Sequence, residues 1–197
     1  MSLHNLLLQF SFLFAPMTHM PTEQICPTIY RGRDPNIAQI KVLHDKGIKT
    51  IVSLRTHDQP KKQKYAESLG MKWVRIPSGV FKTPAFAEID AFRGVVNKPA
   101  NQPCYVCCTI GTDRNAAFLA AYRMTDENWT AQQTLTELEQ HHLKRWWPIF
   151  ADYPKTAAAY AKTHQSTTDT ETASSGGATT ATTTVSASTT ASTTPKE

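Results

Sequence analysis

The chain reads as a single α/β domain with a central, mainly parallel sheet flanked by helices, followed by a disordered C-terminal tail. Three observations predict this. Between about residues 28 and 163, short β-branched runs alternate with helical patterns, the signature of a layered α/β domain. The run CYVC at 104–107 is short and β-prone, suited to a central strand. Of the last 33 residues (165–197), 19 are Ser or Thr and the largest apolar side chain is one valine, too little buried surface to offset ordering entropy.

The elements follow in order. Tyr30–Arg33 is a short strand or extended entry. Asp34-Pro35 supplies an N-cap and a first-turn proline to a helix with Ile37, Ile40 and Leu43 on one face, and Gly47 closes it. Ile48–Leu54 (IKTIVSL) is the next strand, Pro60–Leu69 a basic helix ending at Gly70, and Met71–Ile76 (MKWVRI) a further strand. Thr83-Pro84 starts a third helix, with Phe86, Ile89 and Val96 near one stripe, and Lys98-Pro99 stops it. After the central strand, Arg114–Met124 (RNAAFLAAYRM) is a strong helix former, apolar enough to be buried. Thr130 with Gln133 forms a capping box ahead of Leu135 and Leu138, and Pro148 and Pro154 punctuate a last helical region. These C-terminal helices are expected to cover one face of the sheet.

With 197 residues the chain has material for one domain of ordinary size. Setting aside Asp169, Glu171, Lys196 and Glu197 in the tail leaves 20 basic and 13 acidic groups, a formal +7 that points to an anionic partner. No stretch approaches the roughly 18 consecutive apolar residues of a membrane span, and four cysteines among seven histidines do not make a disulfide scaffold. Transmembrane, fibrous and disulfide-rich mini-protein readings are excluded. Leu6–Ala15 (LLLQFSFLFA) is like the apolar core of a signal peptide, but Gln9 interrupts it and the first basic residue is Arg31. The expected division is an apolar segment 1–21, either a leader or a start set upstream of Met17 or Met20, then a domain at 22–163 and the tail at 164–197. The expected location is the cytoplasm, or an exported compartment if residues 1–20 act as a leader.

The chemistry lies in VCCTIGTDRNAA, residues 106–117, where five residues including Gly111 separate Cys108 from Arg114. A strand, a tight turn of that length and a helix start bring successive backbone N–H groups around one point, where the helix dipole adds positive charge. Such a point binds an anion. Arg114 can offer a planar fork to two phosphate oxygens, and a Cys108 thiolate would be stabilised by the same field. The pattern describes an activated sulfur nucleophile facing a tetrahedral dianion.

This segment resembles the Cys-(five residues)-Arg signature of the cysteine-dependent protein tyrosine and dual-specificity phosphatases. The likeness extends to IYRGRDPNIAQIKVLHDKGIKTIVSLR (29–55) and LGMKWVRIP (69–77), and to NWTAQQTLTELEQ (128–140), together about residues 28–155. It implies a dual-specificity-phosphatase-like fold of the small bacterial type. It also implies that Cys108 attacks phosphorus to form a phosphocysteine, which water then hydrolyses. Thr109, Ile110, Gly111, Thr112, Asp113 and Arg114 would bind the phosphate, with no metal or organic cofactor. The implied partner is a phosphorylated protein or a small anionic phosphate ester, not a nucleic acid.

Three positions depart from the family's pattern. The residue before the nucleophile is usually His and here is Cys107, a poorer hydrogen-bonding group. The residue after the arginine is usually Ser or Thr, which helps the thiolate leave, and here is Asn115, whose amide could still donate. The usual general acid, an Asp about thirty residues before the cysteine, is absent from IPSGVFKTP (76–84). Asp113 is the substitute acid, with loop orientation as its plainer role, and Asp58 and Asp90 are weaker candidates.

Plainer readings stand beside the other motifs. Cys104 and Cys107 form a CxxC, but no second ligand pair supports zinc, and buried strand thiols acting as small hydrophobes are favoured over a disulfide with Cys108. Lys61, Lys62 and Lys64 make a solvated helix face, or else steer an anionic substrate. His141-His142 suit the end of a helix, and Trp146, Trp147 and Phe150 suit core packing. The expected function is hydrolysis of phosphotyrosine or phosphoserine/threonine. The alternatives are a phosphoinositide or inositol-phosphate phosphatase and a pseudophosphatase that only binds phosphorylated partners. Arg114 and the flanking segments weigh against a rhodanese-like sulfurtransferase.

Overall fold

The computed structural model describes residues 22–80, 82–140 and 152–174, with side chains of the last segment described to residue 164. The strands are β1 (Glu23–Cys26), β2 (Ile29–Arg33), β3 (Thr50–Ser53), β4 (Lys72–Arg75) and β5 (Cys104–Cys108). The helices are α1 (Ile37–Asp45), α2 (Pro60–Ser68), α3 (Phe86–Val96), α4 (Asp113–Asp126), α5 (Ala131–Gln140) and α6 (Asp152–Ser174). The sheet order is β1-β2-β5-β3-β4. β2, β5, β3 and β4 are parallel, and only the β1–β2 hairpin is antiparallel. As the sequence predicts, the run beginning at Cys104 is central, and all five residues of β5 are buried.

The pleat sends alternate residues of β5 to two separate cores. Cys104, Val106 and Cys108 join Ile29 and Val52 beneath Phe92 and Val96 of α3 and Phe118, Leu119 and Tyr122 of α4. Tyr105 and Cys107 join Ile51 beneath Ile40 and Leu43 of α1 and Ala66 of α2. A third core packs the alanine face of α4 (Ala116, Ala117, Ala120, Ala121) against Leu138 of α5 and Tyr153, Ala157 and Tyr160 of α6. Small residues on α4 let α6 approach closely; of the C-terminal helices α4 covers the sheet, while α5 and α6 pack on α4 as an outer layer instead of on the sheet face itself. Arg123 clamps this layer: it pairs with Glu137 at 2.6 Å and with Glu127, donates to Ile25 O at 2.9 Å, and stacks on Trp129 at 4.2 Å.

Several expectations are corrected. β1 was not foreseen, because its sequence, EQIC, has no clear alternation. The cap of α1 is Asn36, not Asp34: Asn36 Oδ1 accepts from Gln39 N at 2.9 Å and Gln39 Oε1 from Asn36 N at 3.0 Å. A reciprocal box satisfies two orphan donors, which Asp34 two residues earlier does not. α6 spans Asp152–Ser174 and is anchored by Tyr153, Ala157 and Tyr160. The capping box at Thr130 is present, with Gln133 Oε1 accepting from Thr130 N at 2.9 Å and Thr130 Oγ1 from Gln133 N at 3.2 Å. Residues 1–21, the remaining tail 175–197, His141-His142, Trp146, Trp147, Pro148 and Phe150 lie outside the described residues. No described helix is long and apolar enough to cross a membrane.

The crossovers leave β5 between β2 and β3, whose onward connections diverge, so the carboxyl ends of these strands form a switch point of the kind that binds ligands in open α/β sheets. Arg33 is level with Cys108, and Ser53 is level with both Cys107 and Arg75. The cysteine singled out in the sequence therefore sits at that edge.

Candidate active site

β5 ends at Cys108, α4 begins at Asp113, and residues 109–112 turn between them. The first N–H groups of a helix have no intrahelical acceptors, so the start of α4 supplies free donors and the positive end of a dipole. Gly111 lies at φ +96°, and a Cβ there would stand 2.5 Å from both Gly32 C and Arg33 N. Only glycine allows this turn to lie against the end of β2. The turn points the Gly111 N–H at Cys108 Sγ, 3.2 Å away. Cys108 itself is 3% exposed, at the base of the turn.

Arg114, in the first turn of α4, is buried and braced by backbone from two other segments. Its Nη1 donates to Leu54 O at 2.8 Å and to Ser78 O at 3.2 Å, and its Nη2 to Thr109 Oγ1 at 2.5 Å. Three of five guanidinium N–H groups are thus spent on protein oxygens, leaving two for an anion. Ser78, in the stretch 76–84 that carries no carboxylate, thus reaches Arg114 through its backbone carbonyl. Sequence reasoning did not find Leu54 or Ser78, because backbone carbonyls carry no residue signature.

Asn115 is fully buried, and its Nδ2 donates to Gly32 O at 3.0 Å, Gly111 O at 3.1 Å and Val106 O at 3.3 Å. The amide donor expected to help the sulfur is occupied by three carbonyls. Asn115 is therefore a strut joining β2, β5 and the loop. Cys107 points to the opposite core, where burial pushes its thiol far above the ordinary range and Asp34 pushes it further. It takes no part in the turn around Cys108.

Asp113, half-buried, accepts from Thr112 Oγ1 at 3.2 Å. Tyr153 of α6 faces the same group: burial, then Asp113 and Cys108, push its hydroxyl up to about 12, while Arg114 opposes. Pro154 hinted at a helix start here, but nothing local tied Tyr153 to residues forty positions earlier. The other acid candidates are engaged elsewhere. Asp58 is exposed and pairs with Arg75 at 2.7 Å, and Asp90 contacts Tyr160 and His164, the latter at 3.0 Å.

Asp34, with its side chain 8% exposed, binds Arg55 Nη1 at 2.6 Å, Lys62 Nζ at 2.7 Å and Gln59 Nε2 at 2.9 Å. Lys62 is therefore part of this brace, not of a purely solvated face. All four cysteines are free thiols. Cys104 and Cys107 belong to opposite cores, so the CxxC does not converge on one point. Cys104 and Cys108 are four residues apart on one strand, roughly 13 Å and beyond disulfide reach.

This architecture is shared. The family model described as a DSP-PTPase phosphatase fused to NAD+ kinase matches residues 16–177. The dual specificity protein phosphatase TpbA of Pseudomonas aeruginosa (strain UCBPP-PA14) is 23% identical over 117 residues, 59% of this chain and 52% of the relative. The chain thus spans about half the length of that curated relative. The crystal structure of a P. aeruginosa TpbA variant in complex with phosphotyrosine superposes with a TM-score of 0.62 at 18% identity, over 77% of this chain and 94% of that one. The core catalytic domain of the PP-IP phosphatase SIW14 from S. cerevisiae, in complex with citrate, gives 0.64 at 19% identity, over 76% and 92%. At these identities the structural likeness concerns the fold.

Proposed function

The chain belongs to the DSP-PTPase family described as a phosphatase fused to NAD+ kinase, and from that membership we propose that it hydrolyses phosphate monoesters with Cys108 as nucleophile. The observation that carries this reading is the Gly111 N–H donating to Cys108 Sγ at 3.2 Å beside an Arg114 with two unspent donors.

In the proposed reaction, the amides of residues 109–114 and the Arg114 fork hold the equatorial phosphoryl oxygens. The Cys108 sulfur attacks phosphorus in line, an S–P bond forms, and the P–O ester bond breaks. Asp113 gives its proton to the departing oxygen. Water then attacks the phosphocysteine, Asp113 takes a proton back, the S–P bond breaks with its electron pair returning to sulfur, and inorganic phosphate leaves. Positioned donors matter because charge builds on these oxygens in the transition state, where one such donor is worth about 10²–10³ in rate.

The proposed substrate is phosphotyrosine or phosphoserine/threonine in a protein, supported by the likeness to TpbA, whose variant binds phosphotyrosine. A second reading, an inositol-phosphate or phosphoinositide ester, is favoured by the exposed Arg33, register partner of Cys108, and by Arg55, which follows the Leu54 carbonyl that Arg114 holds.

The pH–rate profile of aryl phosphate hydrolysis tests the acid. Across about pH 5–7.5, Asp113→Asn loses the basic limb and about 10²–10⁴ in rate on a poor leaving group. An unchanged profile removes Asp113 from that role. Phosphopeptide binding without phosphate release by folded, reduced wild type would make the domain a binding module instead.

A further inference from the structure

We propose that Tyr153, in the first turn of α6, is a positioning residue for the acid step: its hydroxyl is the donor that Asp113 engages as it gives its proton to the departing oxygen. This rests on the phosphatase reading of the Cys108 loop with Asp113 as its acid. Asp113 opens α4, and Ala116 and Ala117 follow it by three and four residues, so the three share one face of that helix. Tyr153 packs on that face, since it is 1% exposed and belongs to the same core as Ala116 and Ala117. The alanine methyls fill little of the space, which seats the Tyr153 ring over the first turn of α4.

The hydroxyl of Tyr153 is turned toward the loop. The charged and titratable groups around it, among the described residues, are Asp113, Cys108 and Arg114. Burial, then Asp113 and Cys108, push it up to about 12, so at neutral pH it is a donor that keeps its own proton. Asp113 is half-buried and has one long hydrogen bond of its own, from Thr112 Oγ1 at 3.2 Å.

Packing alone would be served by a phenylalanine, which brings no hydroxyl to desolvate. A hydroxyl beside a carboxyl in a water-poor corner instead favours the ionised form as it appears. In the acid step the Asp113 proton passes to the ester oxygen, the P–O bond breaks, and negative charge is left on Asp113. A donor that meets this charge lowers the barrier most for a leaving group that needs its proton. The stretch 76–84 offers no carboxylate, so the acid is held from the α4 side, which is the side that α6 covers.

The test is kcat/KM across about pH 5–8 for p-nitrophenyl phosphate, whose leaving group needs little protonation, and for phenyl phosphate, whose leaving group needs more. Tyr153→Phe is expected to slow phenyl phosphate about tenfold more than p-nitrophenyl phosphate, the size of one charge-assisted hydrogen bond. It should also move the basic limb to higher pH, because the ionised acid loses a donor. In an Asp113→Asn background the same change should do neither. If Tyr153→Phe fails to fold, fluorotyrosine placed at this position alone decides, since it is a stronger donor of similar size and should move the limb to lower pH. Equal slowing of the two esters with an unmoved limb, the result of a packing role, overturns the proposal and leaves Asp113 as the acid. An effect that persists in Asp113→Asn does the same. If Asp113→Asn does not itself separate the two esters, the acid reading fails and this proposal with it. No turnover of either ester by folded, reduced wild type removes the phosphatase reading as a whole, and this proposal falls with it.

Discussion

Gly111 lies against the backbone of Gly32: a methyl group at Gly111 would stand 2.5 Å from the Gly32 carbonyl carbon and 2.8 Å from its oxygen. The phosphate-loop candidate is thereby seated on β2, and Asn115 bridges the same two glycines through their carbonyls at 3.0 and 3.1 Å. The shape of the turn depends on this contact as much as on the turn's own residues.

Gly111→Ala tests that dependence. A left-handed backbone costs a non-glycine residue about 1–2 kcal/mol, and the backbone clash adds to it. Gly47, at φ +83° with nothing within 4 Å of a Cβ, bears only the first cost. Gly111→Ala is expected to lower the thermal midpoint more than Gly47→Ala and to abolish aryl phosphate turnover. Equal midpoints would remove the clash from consideration.

Asn115→Ala removes the shared donor of two buried carbonyls, Gly32 O and Val106 O, and of the part-buried Gly111 O. Unsatisfied buried groups cost about 1–3 kcal/mol each, and partial relaxation should hold the total to about 2–4 kcal/mol in urea unfolding. A loss below about 0.5 kcal/mol, the range of an ordinary surface substitution, would contradict the strut.

Burial pushes the Cys104 thiol up to about 11, and Cys107 lies further up. Both folded-state values exceed the unfolded one, so their contribution is fully present below about pH 8.5–9 and is lost as pH rises toward 11, where unfolded thiols ionise and folded ones do not. Each thiol then removes about 1.4 kcal/mol per pH unit. Urea midpoints should fall between pH 8 and pH 10, with a shallower fall in Cys104→Ala; identical slopes would show that burial does not hold this thiol neutral.

Arg114→Lys keeps the charge but cannot reproduce a planar fork that also donates to Leu54 O and Ser78 O. The expected result is a fall in kcat/KM for an aryl phosphate of about a hundredfold or more. A fall of less than about threefold would mean that a point charge suffices there.

The site was legible where it is local. Cys108, Gly111, Asp113 and Arg114 lie within seven residues, and strand, turn and helix could be read around them from CYVC and RNAAFLAAYRM. Its supports were not legible, because Gly32, Leu54 and Ser78 act through backbone atoms across 36 to 83 positions. Asp34 shows the same limit: beside a proline it looked like a cap, yet its partners Arg55 and Lys62 lie 21 and 28 positions away. The true cap was readable, since Asn36 and Gln39 have the spacing of a capping box. β1 left little trace because an edge strand of four residues needs few apolar positions.

The most direct measurement is phosphate release from a small aryl phosphate by wild type and Cys108→Ser, with rapid acid quench to trap phosphorylated protein. Wild type is expected to turn over and to carry phosphate on the peptide containing Cys108, and Cys108→Ser to do neither while retaining its fold. Turnover that survives in Cys108→Ser, or label on any other residue, would contradict the assignment of Cys108 as the nucleophile.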